Sequence, residues 1–191
     1  MPKSETLIVV AAYDDSFADN LETFEGGDVV VMDTSGGGHP SAAYIAAYRK
    51  HYYSSYLFIQ DSLRGNGDVV APFRAKGATV VGWASFPLFF DNPEQHNWVA
   101  AQYPHPWPPL GIFGPIFFAT RKAMKRLEDR NLFPQTPPNR LMAQGTERAW
   151  AIAFYKAGYG VSFLGPCITD GESPRLFPEH PVFTKTFAGR A

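Results

Sequence analysis

Short, continuous apolar runs recur along the chain and are separated by stretches that carry helix caps and turn residues. Runs of this length without polar alternation are typical of parallel strands that are covered on both faces. They predict strands over residues 7–12, 28–32, 56–59, 78–84 and 161–164, with a strand-like segment at 113–119. Helices are predicted over residues 17–24, 39–50, 69–76, 121–130 and 146–157. Strands that alternate with helices in this way predict an α/β fold with three layers, α/β/α, around a mostly parallel sheet.

Two proline-rich stretches interrupt this alternation. Residues 85–111 contain six prolines, and a proline inside a helix or a central strand breaks the hydrogen bonding of that element. We therefore predict a long, irregular functional loop there. The tail, residues 165–191, contains four prolines and is predicted to be extended and wrapped around the body. No internal repeat or convincing boundary divides the chain, so residues 1–191 are predicted to form a single domain.

Composition narrows the function classes. The formal net charge of −1 gives no global field that would attract nucleic acid, so there is no strong nucleic-acid signal. Cys167 is the only cysteine, which excludes an internal disulfide and a cysteine-based zinc site. No apolar stretch has the length of a membrane span, and the first residues lack a signal-peptide pattern, so we expect a cytoplasmic protein. Aromatic residues make up 15% of the chain, which fits either core packing or a surface for flat ligands.

Carboxylates follow three of the predicted strands: Asp14 and Asp15 the first, Asp33 the second and Asp61 the third. Because ligands of open α/β sheets collect beyond the carboxyl ends of the strands, these side chains are expected to line one rim. A carboxylate there can hold a divalent metal ion or bind the hydroxyls of a nucleotide. Each aspartate taken alone is also explained as a turn former or a cap.

Several landmarks then follow one another in a fixed order. The first strand ends in the loop at 9–14, the second ends on Asp33, and the third ends at 60–62. The segment 114–122 begins with a glycine and ends with the basic pair Arg121-Lys122. The segment 146–161 carries the carboxylate of Glu147 near its start. In this order the chain resembles the GT-A fold of nucleotide-sugar-dependent glycosyltransferases, especially their large inverting family.

The resemblance covers residues 7–164 and has two departures. The Asp-x-Asp metal motif is reduced to Asp61, with Gln60 before it and Ser62 after it. The usual Glu-Asp pair is replaced by Thr146-Glu147. One carboxylate is therefore left for a metal ion and one for a base.

The resemblance implies an enzyme that transfers a sugar from a nucleoside-diphosphate sugar to a hydroxyl acceptor. It implies that Asp61 holds Mg²⁺ or Mn²⁺ against the diphosphate and that Glu147 is the general base. The residues implied to contact the nucleotide sugar are Tyr13, Asp14, Asp33, Gln60, Asp61 and Arg121. The candidates for the acceptor side, where the 85–111 loop is expected, are Trp83 and Trp107. His180 in the tail is a candidate for a further metal ligand.

Structural explanations compete with these roles. Glu147 is also explained as a first-turn charge, Arg121 as part of a solvated basic helix face, and His180 as a surface histidine. The tryptophans are equally explained by packing. A non-catalytic module that binds a nucleotide sugar or a glycan is therefore the alternative function, because the metal motif is reduced. A nucleotidyltransferase normally has a glycine-rich, basic loop after the first strand, where this chain has an acidic one.

Overall fold

The computed structural model describes residues 4–13, 18–35, 39–88, 90, 92–165, 167–168 and 182–185 of the 191-residue chain. The strands in this part of the chain are β1 (Thr6–Ala12), β2 (Asp28–Asp33), β3 (Ser55–Gln60), β4 (Leu63–Gly65), β5 (Val80–Gly82), β6 (Ser85–Pro87), β7 (Leu110–Ile112), β8 (Phe117–Thr120), β9 (Ser162–Phe163) and β10 (Phe183–Lys185). The helices are α1 (Ala18–Leu21), α2 (Pro40–Lys50), α3 (Ala71–Ala75), α4 (Pro93–Gln102), α5 (Arg121–Asp129) and α6 (Arg140–Lys156). No helix in these ranges is both long enough and apolar enough to cross a membrane.

Six of the strands form the central sheet, in the order β2-β1-β3-β8-β5-β9. β1 pairs in parallel with β2 and β3, and β9 pairs in parallel with β5. β8 runs antiparallel to both of its neighbours, β3 and β5. Five of these six strands therefore point in one direction. The predicted α/β fold with a mostly parallel sheet is confirmed.

Other elements cover both faces of this sheet. Along β3, Tyr56 and Phe58 face one side, while Leu57 and Ile59 face the other, as the two-residue period of a strand requires. The first face packs against α2, α4, α5 and α6, and the second packs against α3, β4 and β10. Because both faces are buried, β3 is apolar on both sides instead of alternating with polar residues.

An aromatic cluster joins β3 to α2 and α6 on the first face. The ring centre of Tyr44 lies 4.8 Å from that of Phe58 and 6.4 Å from that of Trp150. Phe117 lies 4.9 Å from both Phe58 and Trp150. The indole N–H of Trp150 donates a 2.8 Å hydrogen bond to Ser41 Oγ, so its polar group is satisfied inside the core. Packing thus explains much of the aromatic content, and the cluster fixes α6 against the start of α2.

The proline-rich segment 85–111 contains regular structure, so the prediction of an irregular loop is wrong there. α4 occupies its middle, and β6 pairs antiparallel with β7 at its ends. Pro93 is compatible with α4 because it stands in the first turn, where a backbone N–H would have no helical partner. Asn92 caps the helix by accepting a 2.8 Å hydrogen bond from the backbone N–H of Glu94.

α6 begins at Arg140 rather than at the predicted Thr146. Asn139 caps the helix by accepting a 2.9 Å hydrogen bond from the backbone N–H of Met142. Glu147 consequently lies in the third turn of α6, and its interpretation as a first-turn charge is wrong.

Gly145 lies inside α6, where a glycine weakens the helix relative to alanine. A Cβ at this position would lie 3.3 Å from Cγ2 of Val99 and 3.7 Å from Cβ of Gln95, both in α4. The missing side chain therefore lets α4 and α6 approach closely, which is the structural reason for a glycine inside this helix.

Candidate functional site

The carboxyl ends of β1, β2 and β3 meet along one side of the sheet, which we call the carboxyl edge. The parallel register aligns the last residues of the three strands, with Ala12 beside Asp33 and Ala11 beside Gln60. The residues predicted from sequence that this register brings together are Tyr13, Asp33, Gln60 and Asp61. Asp14, which was predicted with them, lies outside the described residues.

Asp61 is buried at the carboxyl edge, with 7% of its surface exposed. Its Oδ2 accepts a 2.7 Å hydrogen bond from the backbone N–H of Tyr13. Its backbone carbonyl accepts a 2.9 Å hydrogen bond from Nδ2 of Asn20. Within the described part of the chain, Oδ1 accepts no hydrogen bond. The carboxylate is therefore held in place by one oxygen and has the other oxygen available for a ligand.

A buried tyrosine links Asp61 to Glu147, the predicted base. Tyr44 has no exposed surface, and its hydroxyl donates a 2.9 Å hydrogen bond to the carbonyl of Ile59, near the end of β3. Burial raises the pKa of this hydroxyl well above 10.0, and the charges of Glu147 and Asp61 raise the pKa further. Both carboxylates thus lie within electrostatic reach of one hydroxyl, although they come from distant parts of the sequence. We call Asp61 and Glu147 the carboxylate pair.

Asp33 presents an exposed carboxylate at the same edge. Its Oδ1 accepts a 2.7 Å hydrogen bond from the backbone N–H of Ser35. Hydrogen bonding to Ser35 lowers the pKa of Asp33, so the side chain is a charged acceptor at neutral pH. Tyr13, which follows Ala12 beside Asp33 in the register, is 52% exposed. The edge therefore combines an exposed carboxylate and a partly exposed tyrosine with the buried Asp61.

His39 is a polar residue at this edge for which the sequence predicted no role. It caps α2, with Nδ1 accepting a 3.2 Å hydrogen bond from the backbone N–H of Ser41, so its proton is on Nε2. Burial lowers the pKa of His39 to about 4, which the carbonyl of Ala143 in α6 partly opposes. By geometric criteria, Nε2 has no hydrogen-bond partner among the described residues. A histidine at a predicted helix start, directly after three glycines, was the available sequence signal.

Arg121 lies at the opposite end of β3 from Asp61, so the structure does not bring it together with the other residues predicted to contact the nucleotide. β8 runs antiparallel to β3, and the residue that follows β8 therefore lies beside the amino end of β3. The backbone N–H of Arg121 donates a 2.8 Å hydrogen bond to the carbonyl of Ser54. Its guanidinium lies 3.8 Å from the ring centre of Tyr52. We call this side of the sheet the amino edge.

The two predicted acceptor-side tryptophans have different surroundings. Trp83 is 1% exposed and packs against Phe113 and Phe183, so the prediction that it forms an acceptor platform is wrong. Trp107 is half-buried and stacks on His105, with ring centres 3.9 Å apart. Its indole N–H donates a 2.6 Å hydrogen bond to the carbonyl of Tyr103. An acceptor-side role for Trp107 stays a prediction.

Phe90 lies between Trp107 and a side chain of α6. Phe90 lies 5.4 Å from Trp107 between ring centres, and the guanidinium of Arg148 lies 5.4 Å from the ring centre of Phe90. Arg148 directly follows Glu147 in α6. The segment that contains Trp107 is thus placed toward the part of α6 that carries the predicted base.

The described residues contain no group of three or more histidine, cysteine, aspartate or glutamate side chains arranged to hold a metal ion. Asp61 contributes a single carboxylate oxygen that is available for a ligand. This fits a hard cation that takes one or two protein carboxylates and completes its coordination with phosphate oxygens and water. His180, the other predicted ligand, lies outside the described residues.

Comparison with known proteins yields structural matches only. No protein-family model matches the chain, and no curated protein matches it. A crystal structure of S. aureus TarS 1–349 matches with a TM-score of 0.49 and 11% identity, covering 95% of this chain and 60% of that one. A structure of the same TarS fragment in complex with UDP-GlcNAc matches with a TM-score of 0.47 and 11% identity, covering 88% and 59%. The chain thus spans about 60% of the length of these structures, and at these values the likeness carries no argument about its activity.

The burial of His39 predicts that the folded protein loses stability as the pH falls. Because its pKa is about 4 in the folded protein and 6.5 for the unperturbed side chain, the unfolded chain binds more protons between these values. The free energy of unfolding should therefore fall by up to about 3 kcal/mol through this group as the pH drops from about 6.5 to about 4. In His39→Asn, which keeps a capping acceptor, urea denaturation at pH 7 and pH 4.5 should show a smaller loss than in wild type. An equal loss in His39→Asn and wild type would contradict the assignment of this loss of stability to His39.

Proposed function

We propose that the protein transfers a sugar from a nucleoside-diphosphate sugar to a hydroxyl acceptor at the carboxyl edge. The carboxylate pair, Asp61 and Glu147, carries this proposal. A donor-binding carboxylate at the end of a parallel strand and a second carboxylate on a facing helix are the minimum that the reaction requires. The charges of both carboxylates raise the pKa of the Tyr44 hydroxyl, which supports a site that both of them serve.

The donor is proposed to lie across the ends of β1, β2 and β3, where open α/β sheets bind their ligands. Asp33 is charged and exposed, which suits the ribose hydroxyls of a nucleoside. Tyr13 is proposed to stack on the base, which suits an aromatic residue that is 52% exposed at this edge. Its backbone N–H meanwhile holds Asp61 in position.

The diphosphate end of the donor is assigned to Asp61. Its Oδ1 is the atom that would hold Mg²⁺ or Mn²⁺. When bound, such an ion would neutralise the negative charge on the leaving diphosphate. The fixed Oδ2 contact with Tyr13 pre-orients the side chain, so a ligand at Oδ1 meets a carboxylate whose position is already set.

Glu147 is assigned as the general base. The oxygen of the acceptor hydroxyl forms a bond to the anomeric carbon as the bond from that carbon to the diphosphate oxygen breaks. The hydroxyl proton passes to the carboxylate of Glu147, and the nucleoside diphosphate leaves with the bonding electron pair. Glu147 lies in the third turn of α6, beyond the first turn in which the helix dipole acts.

A binding module without catalysis is the second candidate. It is favoured by the single aspartate at the expected metal position, where Gln60 and Ser62 flank Asp61. Such a protein would use the same edge and the same donor contacts. Transfer activity, and not donor affinity, separates the two candidates.

Asp61→Asn tests the donor and metal assignment, since asparagine keeps an oxygen for the Tyr13 N–H but removes the charge. Calorimetry should show that UDP binds wild-type protein about tenfold more tightly with Mn²⁺ than with EDTA, as expected for one charged contact. The variant should bind with equal affinity in both conditions. Asp129→Asn, on the exposed surface of α5, should behave as wild type. Equal affinity with and without Mn²⁺ in the wild type would refute the metal assignment.

Glu147→Gln tests the base, because glutamine has the same size but cannot accept the proton. With a panel of nucleoside-diphosphate sugars that includes UDP-GlcNAc, transfer should fall by about 10²–10⁴-fold while donor affinity stays near the wild-type value. Glu94→Gln, in the exposed first turn of α4, is the control and should keep full transfer. Near-wild-type transfer in Glu147→Gln would exclude Glu147 as the base. Wild-type protein that binds a donor but transfers nothing across a broad acceptor panel would favour the binding module.

A further inference from the structure

Two histidines outside the carboxyl edge face each other at close range. His96 lies in α4, and His105 lies in the segment that follows this helix. Their Nε2 atoms are 3.4 Å apart, and their rings are inclined by 29°. His105 is exposed and His96 is half-buried, so ions in solvent can reach the pair.

The separation of the two nitrogens matches that of two ligands on one metal ion. With Zn–N bonds of about 2.0–2.1 Å and tetrahedral geometry, two coordinating nitrogens lie about 3.3–3.4 Å apart. The 3.4 Å spacing of His96 and His105 already has this value.

The pair is held by packing. The ring of His105 stacks on Trp107 at 3.9 Å, and the ring of His96 lies 5.1 Å from the same indole. Trp107 is fixed in turn by its hydrogen bond to the Tyr103 carbonyl. Phe90 closes the cluster, 5.9 Å from His96 and 5.4 Å from Trp107. The histidines therefore lose little freedom on binding an ion, which lowers the entropic cost of chelation.

The two imidazole rings determine which metal ions the pair can bind. Imidazole nitrogens suit Zn²⁺, Cu²⁺ and Ni²⁺, whereas Mg²⁺ and Mn²⁺ prefer oxygen ligands. The described ranges contain no group of three or more histidine, cysteine, aspartate or glutamate side chains that could hold a metal ion, so a bound ion would take these two imidazoles as its ligands from this part of the chain.

We infer that His96 and His105 form a binding site for one late first-row transition-metal ion, with Zn²⁺ as the expected occupant. This site uses residues different from the proposed donor site and does not depend on the proposed function. A bound ion links α4 to the segment that carries Trp107, and it thereby stabilises the folded protein in proportion to its concentration.

Calorimetric titration of untagged protein with ZnCl₂ tests the inference. Wild-type protein should bind one ion per chain at this site, and excess MgCl₂ should not compete with Zn²⁺ for it. His96→Gln and His105→Gln should each weaken Zn²⁺ binding by at least ~10-fold, since even the loss of an outer-sphere partner costs 10–100-fold. Retained affinity in either variant, or no binding by the wild type, would overturn the inference.

Trp107 provides an independent signal from the same site. Cu²⁺ is a quencher of nearby tryptophan, so it should reduce the fluorescence of wild-type protein at a stoichiometry of one ion per chain. Trp107→Phe keeps a ring for stacking and should retain Zn²⁺ binding in the calorimeter while losing most of the quenching. Quenching of equal depth in wild type and Trp107→Phe would place the ion elsewhere and overturn the inference.

Discussion

The parallel pairing of β1 with β2 and β3 is the constraint on which the candidate site depends. Buried strands must satisfy their backbone groups through neighbouring strands, and a shift of register by one residue would turn every side chain to the opposite face. Since both faces of β1 and β3 are buried in different cores, the register is strongly specified. Its consequence is that three chain segments end side by side, with Tyr13, Asp33 and Asp61 at one edge.

The aromatic cluster adds α6 to this edge. Tyr44 packs between Phe58 of β3 and Trp150 of α6, while its hydroxyl reaches the backbone of Ile59 at the end of β3. Glu147 lies less than one helical turn before Trp150, so the packing that fixes Trp150 also sets where Glu147 lies. The same tyrosine is thus part of the core and lies within the electrostatic influence of two carboxylates. Its hydroxyl stays neutral there, because burial and both negative charges oppose its ionisation.

The sequence was a good guide where local pattern determines position. Apolar runs located the central strands, and a parallel sheet then required Asp33 and Asp61 to share an edge. Arg121 could not be placed in this way, because the direction of β8 is set by its pairing partners and leaves no local signal. The burial of Trp83 likewise depends on Phe183, which is a hundred residues away.

The predictions of α4 and of the start of α6 were wrong for a related reason. The prolines of 85–111 predict an irregular loop, but Pro93 occupies the first turn of α4, where proline is tolerated. The first two turns of α6 were not predicted, and Gly145 in its second turn packs closely against Val99 of a helix that was itself not predicted. The lowered pKa of His39 results mainly from its burial in the folded protein. These features depend on contacts between segments and could not be derived from either segment alone.

The central claim is that nucleotide binds at the carboxyl edge and not at the amino edge that carries Arg121. Titration of ¹⁵N-labelled protein with UDP and Mg²⁺, followed by two-dimensional NMR, tests this claim directly. The account predicts the largest amide shifts at Tyr13, Asp33 and Asp61, smaller shifts near Glu147, and none at Arg121 or Tyr52. Shifts centred on Arg121 and Tyr52, with the amides of Tyr13 and Asp61 unchanged, would contradict it.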